Sequence, residues 1–437
     1  SDGNLDAWTF STWVKFCNND NYHSLFGAGD SSSNQMVIYR LADGAIRFQL
    51  YAGASFVGRL ITTRKFLDTS RWYNVVAVWN SGSSDSGERM RIFVDGVRIT
   101  SFSTEVYPSQ NLDGFVNDAS YKHFIGNDTA ALANASDVYL SQTVLLDGTT
   151  VANADNFGQV DTSTGRWIPK EITGLTMGTN GFFMDYAASG ANLGDDAAGS
   201  IDYANDGGIQ VDDTPTVNFA TFDPNRASSS ATGTIGNTRA TVANSQAEIM
   251  LTTLPFDGTG KFYVEIHCVS GFNDGGGSGG MVGFADPKTI AVSSGTRAYN
   301  QSNSAGMGYY YFDGKKYINN ASSAYGSTFT NSDVIGVYVN GNNIYFTKNN
   351  TLQNSASEAE VVAGTPTNAF YTDIGGYCLS ILGAGGNNPV ADIKVSSDDW
   401  THTPFTGFGE LSQDNLTTGE SYQTAWSWIK NRDATDN

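Results

Sequence analysis

A chain of 437 residues is long enough for two or three domains, each with its own core. Its 24 Lys and Arg against 44 Asp and Glu give a formal charge of -20, which opposes the phosphate neutralisation of non-specific nucleic-acid binding and excludes nucleic acid as a partner. Aromatics at 12% with 49 Gly and only 9 Pro suit an all-β protein with many turns, and a charged fraction of 16% leaves a neutral, hydrogen-bonding surface suited to robust extracellular or virion proteins.

No apolar run approaches the roughly 18 residues of a membrane span, so no membrane insertion is expected. The opening SDGNLDAWTF lacks the basic and apolar regions of a signal peptide. Cys17, Cys268 and Cys378 are odd in number and scattered, without metal-ligand or disulfide spacing. They read as three free thiols, which fits assembly in a reducing cytoplasm.

From Trp8 to about Asp147, WTFSTWVKF, MVIYRL, AIRFQLYAG, WYNVVAVW, MRIFVDGVRIT, KHFIGN and VYLSQTVLLDG recur with turn signals between them. That is strand spacing for a sandwich. Asp95-Gly96 supplies the positive φ angles of a two-residue hairpin between Ile92/Val94 and Val97/Ile99. No stretch holds a 3.6-residue apolar repeat for three turns, so only short helices are expected, one of them near 152–158. Further on, DVIGVYVNGNNIYFTKNN (333–350) predicts a second hairpin, with Val337, Val339, Ile344 and Phe346 apolar and Asn340-Gly341 as the turn.

The first block, through LDTSRWYNVVAVWNS, RMRIFVDGVRITSF and HFIGND to DVYLSQTVLLDGT, resembles a laminin-G-like, concanavalin-type jelly roll. The continuation from GQVDTSTGRWIPK to NFATFDP (158–224) resembles a segment that follows this jelly roll in large bacteriophage and prophage virion proteins of the tail-fibre or capsid-associated type. The second block resembles a SPRY domain, a bent β-sandwich. The matching positions are Gly260, Tyr263 and Glu265, then Gly283, Tyr311, Gly314, Lys316, Tyr325-Gly326, Phe329 and the Asp333/Gly336/Asn340/Phe346/Asn349 frame.

The expected fold is all-β, two tandem antiparallel β-sandwiches. Residues 1–150 form the jelly roll with its first strand missing, 151–217 a loop-rich connecting segment packed on it, 218–410 the SPRY-like sandwich, and 411–437 a linker and the start of a further module. A strand usually precedes WTFSTW, and TAWSWIKNRDATDN stops after one strand, so the chain is expected to be a fragment, or the ordered part, of a larger protein.

Chemistry is sparse. Jelly-roll endoglucanases need two carboxylates on one strand face as E-x-D-x-x-E or E-x-D-x-E, and neither pattern occurs; Glu248 and Glu265 stand isolated. His23, His123, His267 and His402 lack ligand spacing and read as structural. NDGGGSGG (273–280) lacks the Lys and flanking helix of a phosphate loop and reads as a flexible tip able to make contacts. No catalytic residue is expected.

Calcium is the one cofactor considered, because 194–213 carries six Asp and no Lys or Arg. Asp195, Asp196, Asp202 and Asp206 are the candidate ligands, with ordinary solvated acids as the alternative. For a sugar, GMGYYYFDGKKY offers Tyr309 and Tyr311 on one face and Tyr310 and Phe312 on the other. Tyr309, Tyr310, Tyr311 and Asp313 are therefore candidate binding residues, with core packing of both faces as the alternative.

The expected function is a non-enzymatic phage virion structural protein, a fibre, spike or surface decoration, with adhesive contacts to host-surface glycan or protein. Its partners would be copies of itself, as a trimer, and other virion proteins. The tail 421–432, with Trp426, Trp428 and Ile429, is expected to pack on a neighbouring subunit or the next module. The rivals are a secreted or surface bacterial adhesin and a polysaccharide depolymerase.

Overall fold

The computed structural model describes residues 1–53, 55–127, 136–242, 248–273, 279–290, 306–319, 321–384 and 387–416. Most of the 273–280 loop and all of the 421–432 tail lie outside the described residues. The chain divides into two units, Ser1–Thr216 and Val217–Asn437. Each is an antiparallel β-sandwich. No helix among the described residues is long and apolar enough to cross a membrane.

In the first unit one sheet has the order β14 (Phe182–Met184), β11 (Val138–Asp147), β1 (Ala7–Phe16), β6 (Tyr73–Asn80), β7 (Met90–Val94), β8 (Val97–Arg98). The other runs β10 (Lys122–Ile125), β2 (His23–Ser31), β3 (Asn34–Arg40), β4 (Ala45–Ala52), β5 (Ser55–Lys65), β9 (Phe102–Val106). Alternate residues of β1, Trp8, Phe10, Val14 and Phe16, meet Phe26, Ile38, Phe48 and Leu60 in the core between the sheets. On β11 a bulge at Gln142, whose φ is 46°, flips the alternation, so Tyr139 and Ser141 share a face with Val144 and Leu146. Asp95-Gly96 forms the expected hairpin, with φ of 50° and 77°.

The far face of the first sheet is apolar as well. Val76, Val78, Phe93, Val144 and Leu146 are covered by Val151, Ala154, Phe157, Trp167, Ile172, Leu175 and Met177, from the segment that holds the small pair β12 (Gly158–Val160) and β13 (Trp167–Pro169). At about 1.5–3 kcal/mol for each large apolar side chain buried, this cover is worth on the order of 10 kcal/mol and belongs to the fold. Two polar ties secure it. Lys15 Nζ meets Asp213 Oδ2 at 2.7 Å, both buried, and Trp72 Nε1 donates to Asp213 Oδ1 at 2.8 Å. Asp147 accepts from the Asn4 and Asn180 amides and the Asn117 side chain. The helix expected near 152–158 is absent: a turn closes from Phe157 N to Ala154 O, and Gly158 already begins β12.

In the second unit one sheet has the order β15 (Phe222–Ala227), β18 (Ile249–Pro255), β27 (Cys378–Ala384), β20 (Gly279–Ala285), β21 (Gly306–Tyr310), β22 (Lys315–Ile318), β23 (Ala321–Ala324). It packs on β16 (Ala231–Thr234), β17 (Arg239–Val242), β28 (Val390–Lys394), β19 (Lys261–Ser270), β24 (Val334–Asn340), β25 (Asn343–Lys348), β26 (Thr351–Leu352). The β24–β25 hairpin forms, but Asn340 pairs with Asn343, so the loop is Gly341-Asn342 rather than Asn340-Gly341. Asn340 instead donates to the Val361 and Val362 carbonyls of α1 (Glu358–Ala363). That helix starts on a capping box between Ser357 and Glu360. Leu411 and Leu416 join the second core, carrying this unit past residue 410.

Candidate functional site

The first sheet of the jelly roll is covered on its far face; the second presents there a row of large polar and aromatic side chains. With Met36, Ile38, Ile46, Phe48, Leu50 and Leu60 turned into the core, the intervening residues of β3, β4 and β5 must point the other way. Register aligns Tyr39 with Arg47, Gln49 with Arg59, and, past a bulge at Val57, Tyr51 with Phe56. Next to them β2 contributes Gly27 and Gly29, where a Cβ would stand 2.8 Å from Val37 Cγ1 and 2.5 Å from the Asn34 carbonyl. The glycines let the sheet close and leave that end of the face low.

The Arg59 guanidinium lies over the Phe56 ring, 3.2 Å from its centroid, and Tyr51 packs on the same ring at 4.6 Å. Gln49 Oε1 holds Arg59 through Nε at 3.1 Å and Nη2 at 2.8 Å. Arg47 stacks over Tyr39 at 4.8 Å and Tyr22 at 5.8 Å. Phe56 and Tyr22 are each 48% exposed, which makes them the open rings of the patch. Burial, then the like charge of Arg47, push the Arg59 guanidinium below its ordinary value. Among the described residues no carboxylate pairs with Arg59. In a chain of charge -20, this is a cationic, aromatic surface on rigid strands. It can stack on the apolar face of a ring and donate paired hydrogen bonds to hydroxyl or acidic oxygens.

The residues chosen from sequence lie elsewhere and do other work. Tyr309, Tyr310 and Tyr311 are all buried: Tyr309 packs on Tyr325, Phe329 and Phe346, Tyr311 on Phe272, and Tyr310 on Tyr317. The exposed ring of that run is Phe312. Asp313 closes the following turn, accepting from Lys315 N and the Tyr317 hydroxyl. A tyrosine platform there is thus corrected to core, because both faces of this stretch are packed.

Nor do the acids form a calcium cage. Asp196 gives its oxygens to the amides of Phe183, Ala198 and Ile201, and meets Asp202 only through its own amide. Asp195, Asp202 and Asp206 are exposed, and no group of three His, Cys, Asp or Glu among the described residues could hold a metal. The local shortage of cations is met instead by backbone N–H groups.

Two segments far apart in sequence do converge. Glu265 on β19 is buried and accepts from Tyr263 Oη (2.9 Å), the Thr401 and His402 amides (2.8 Å each) and His267 Nε2 (2.8 Å), with His402 Nδ1 at 3.2 Å. Burial alone would raise its carboxyl, but the His267 bond, the two amides and the Tyr263 hydroxyl outweigh it and hold the group at about 2. The Thr401 and His402 bonds fasten the 396–409 strap, whose Trp400, Phe405 and Phe408 cover Tyr263 and Tyr338. Glu248, just before β18, is buried, and among the described residues neither of its oxygens has a hydrogen-bond partner.

Arg47, Gln49, Tyr51, Phe56 and Arg59 were missed from sequence, although the signal stood in AIRFQLYA. Between Ile46, Phe48 and Leu50 the alternate residues are Arg, Gln and Tyr, the pattern of a strand with one working face.

Several solved structures are similar to parts of the chain. The SPRY domain of human HERC1 is 16% identical, covering 42% of this chain and 99% of its own at a TM-score of 0.30. The native heptameric SAP-like pentraxin of Limulus polyphemus is 18% identical, covering 34% and 68% at 0.25. Domains LG4-5 of the mouse laminin alpha1 chain are 8% identical, covering 94% and 91% at 0.28. No curated protein sequence matches the chain. Residues 1–148 match the Laminin_G_3 model, described as the concanavalin A-like lectin/glucanases superfamily, so over that unit the chain is similar to a lectin-type jelly roll, a fold compatible with carbohydrate or protein binding.

Proposed function

We propose that this chain is a non-enzymatic structural protein of a phage particle, a fibre, spike or surface decoration, whose jelly roll grips host-surface glycan on the β3–β5 face. The observation that carries the binding role is the Arg59–Phe56–Tyr51 platform, an exposed ring with a guanidinium already oriented by Gln49. Strand positions hold such groups more firmly than loops do, so little ordering entropy is lost on binding. The particle assignment is supported by the resemblance of residues 158–224 to virion proteins that carry the same jelly roll. On the particle the chain would form a homo-oligomer, expected as a trimer, so that weak contacts repeat.

Labelled protein on intact particles, imaged directly, tests the location; absence from the particle sinks it. Phe56→Ala and Arg59→Gln should each weaken binding to host cells or their surface glycan at least about tenfold, ~1.4 kcal/mol, with melting unchanged. Unaltered binding removes this face from the reading. A surface adhesin of a bacterium could use the same face; a signal peptide encoded upstream would favour it. New reducing ends from host polysaccharide would replace both readings with a depolymerase.

A further inference from the structure

Strands β7 and β8 end the first sheet, β9 ends the second, and the chain passing between them walls a cleft of about 150 Å³. Arg91, Arg98, Ile99, Phe102, Glu105 and Tyr107 line it. Arg91 is only 6% exposed, yet among the described residues its one partner is Glu88 Oε2 at 3.5 Å, and its Nε is shut away from solvent with no acceptor. A guanidinium has five N–H donors, and a buried one left without hydrogen bonds is costly. The acids nearby are already engaged: Glu88 Oε1 meets Arg98 Nη1 at 2.7 Å, and Glu105 accepts from the Tyr107 hydroxyl at 2.7 Å. Arg98 also donates to the Gly87 carbonyl at 3.0 Å.

We propose that this cleft binds a small organic monocarboxylate, independently of the glycan face. The carboxylate displaces the long Glu88 contact and takes the two Nη groups of Arg91, whose planar fork matches two oxygens, and a short apolar body lies against Ile99 and Phe102. Size and charge set the class. Pockets for drug-sized ligands run to roughly 300–1,000 Å³, so this one admits an acid of a few carbons rather than an oligosaccharide. Glu88 and Glu105 stand close enough to disfavour a dianion such as inorganic phosphate.

The test uses the full chain with labelled arginine, following the Arg91 Nε–Hε resonance during titration with propionate, propionamide and inorganic phosphate. Propionate should move it saturably with a Kd of about 1 mM, and the other two should bind at least about tenfold more weakly. Arg91→Lys, which keeps charge but loses the fork, should weaken propionate at least about tenfold. Should that variant fail to fold, the three ligands on the native chain still decide. No saturable shift, an equal response to propionamide, a preference for phosphate, or a propionate-soaked crystal showing only water on Arg91 would each overturn the site.

Discussion

Replacing Glu265 by Gln removes one charge from a buried carboxylate that accepts from both backbone amides of the Thr401–His402 corner. A Gln amide offers one acceptor oxygen and a donor nitrogen, so Thr401 N–H or His402 N–H must then face another donor. The carboxyl sits at about 2 in the folded chain against an ordinary 4.5, a gap that corresponds to about 3 kcal/mol at 1.36 kcal/mol per pH unit. Because the folded value is the lower one, this stability is fully present above about pH 4.5 and drains away as the pH falls towards 2. Hydrogen exchange of the 396–409 peptide, measured on the full chain, reads the strap directly. At neutral pH the variant should exchange roughly 100-fold faster, and the gap between the two proteins should narrow steadily as acid protonates Glu265 in the wild type. Equal exchange at neutral pH, or an acid-induced loss of protection identical in both proteins, would refute the argument that the carboxylate charge clamps the strap.

Lys15→Met leaves Asp213 buried without its counter-ion and should cost about 3–5 kcal/mol, seen as a melting point lower by about 10 °C or more; an unchanged melt rejects the tie. Gly96→Ala should destabilise by at least about 1 kcal/mol, because φ is 77° and the new Cβ would stand 2.7 Å from the Trp167 ring, and an unshifted tryptophan spectrum with full stability would contradict this. His123 should be neutral at pH 7 with its proton on Nδ1, since Nε2 accepts from Asn117 N and Nδ1 faces the Tyr121 carbonyl. Burial lowers its folded value from 6.5, so its contribution is complete above about pH 6.5 and is lost as the pH falls further; a ring that titrates above 6.5 in the native spectrum would be the contrary result.

Much of the fold was written locally. Alternation marked β1, β6 and β7, and the Asp95-Gly96 pair fixed a hairpin because few other dipeptides accept two positive φ angles. Where a reading failed, the cause was distant or irregular. The bulge at Gln142 reverses the faces of VYLSQTVLLD midway, which a period of two cannot express. Trp167, Ile172, Leu175 and Met177 follow no period because they cover a sheet from a three-residue strand and the loop after it. Glu265 and His402 stand 137 positions apart, so their meeting leaves no trace in spacing. Tyr309, Tyr310 and Tyr311 misled because a strand buried on both faces has no outward side. Two signals were local and still overlooked: the Ser357–Glu360 capping box of α1, and the Arg-Gln-Tyr alternation on β4.

The Lys15–Asp213 pair also sets a clock on synthesis. The acid leaves the ribosome 198 positions after the lysine, a delay of roughly 10–40 s at 5–20 residues per second. Between the completion of β11 at Asp147 and the arrival of Val151–Met177 the nascent jelly roll has most of its strands but neither its counter-ion nor its apolar cover, so a sticky face waits in the open. A gene cut at residue 148, where the family likeness ends, would make that waiting state permanent. The shortest piece able to ripen alone therefore runs to the end of the first unit, Thr216.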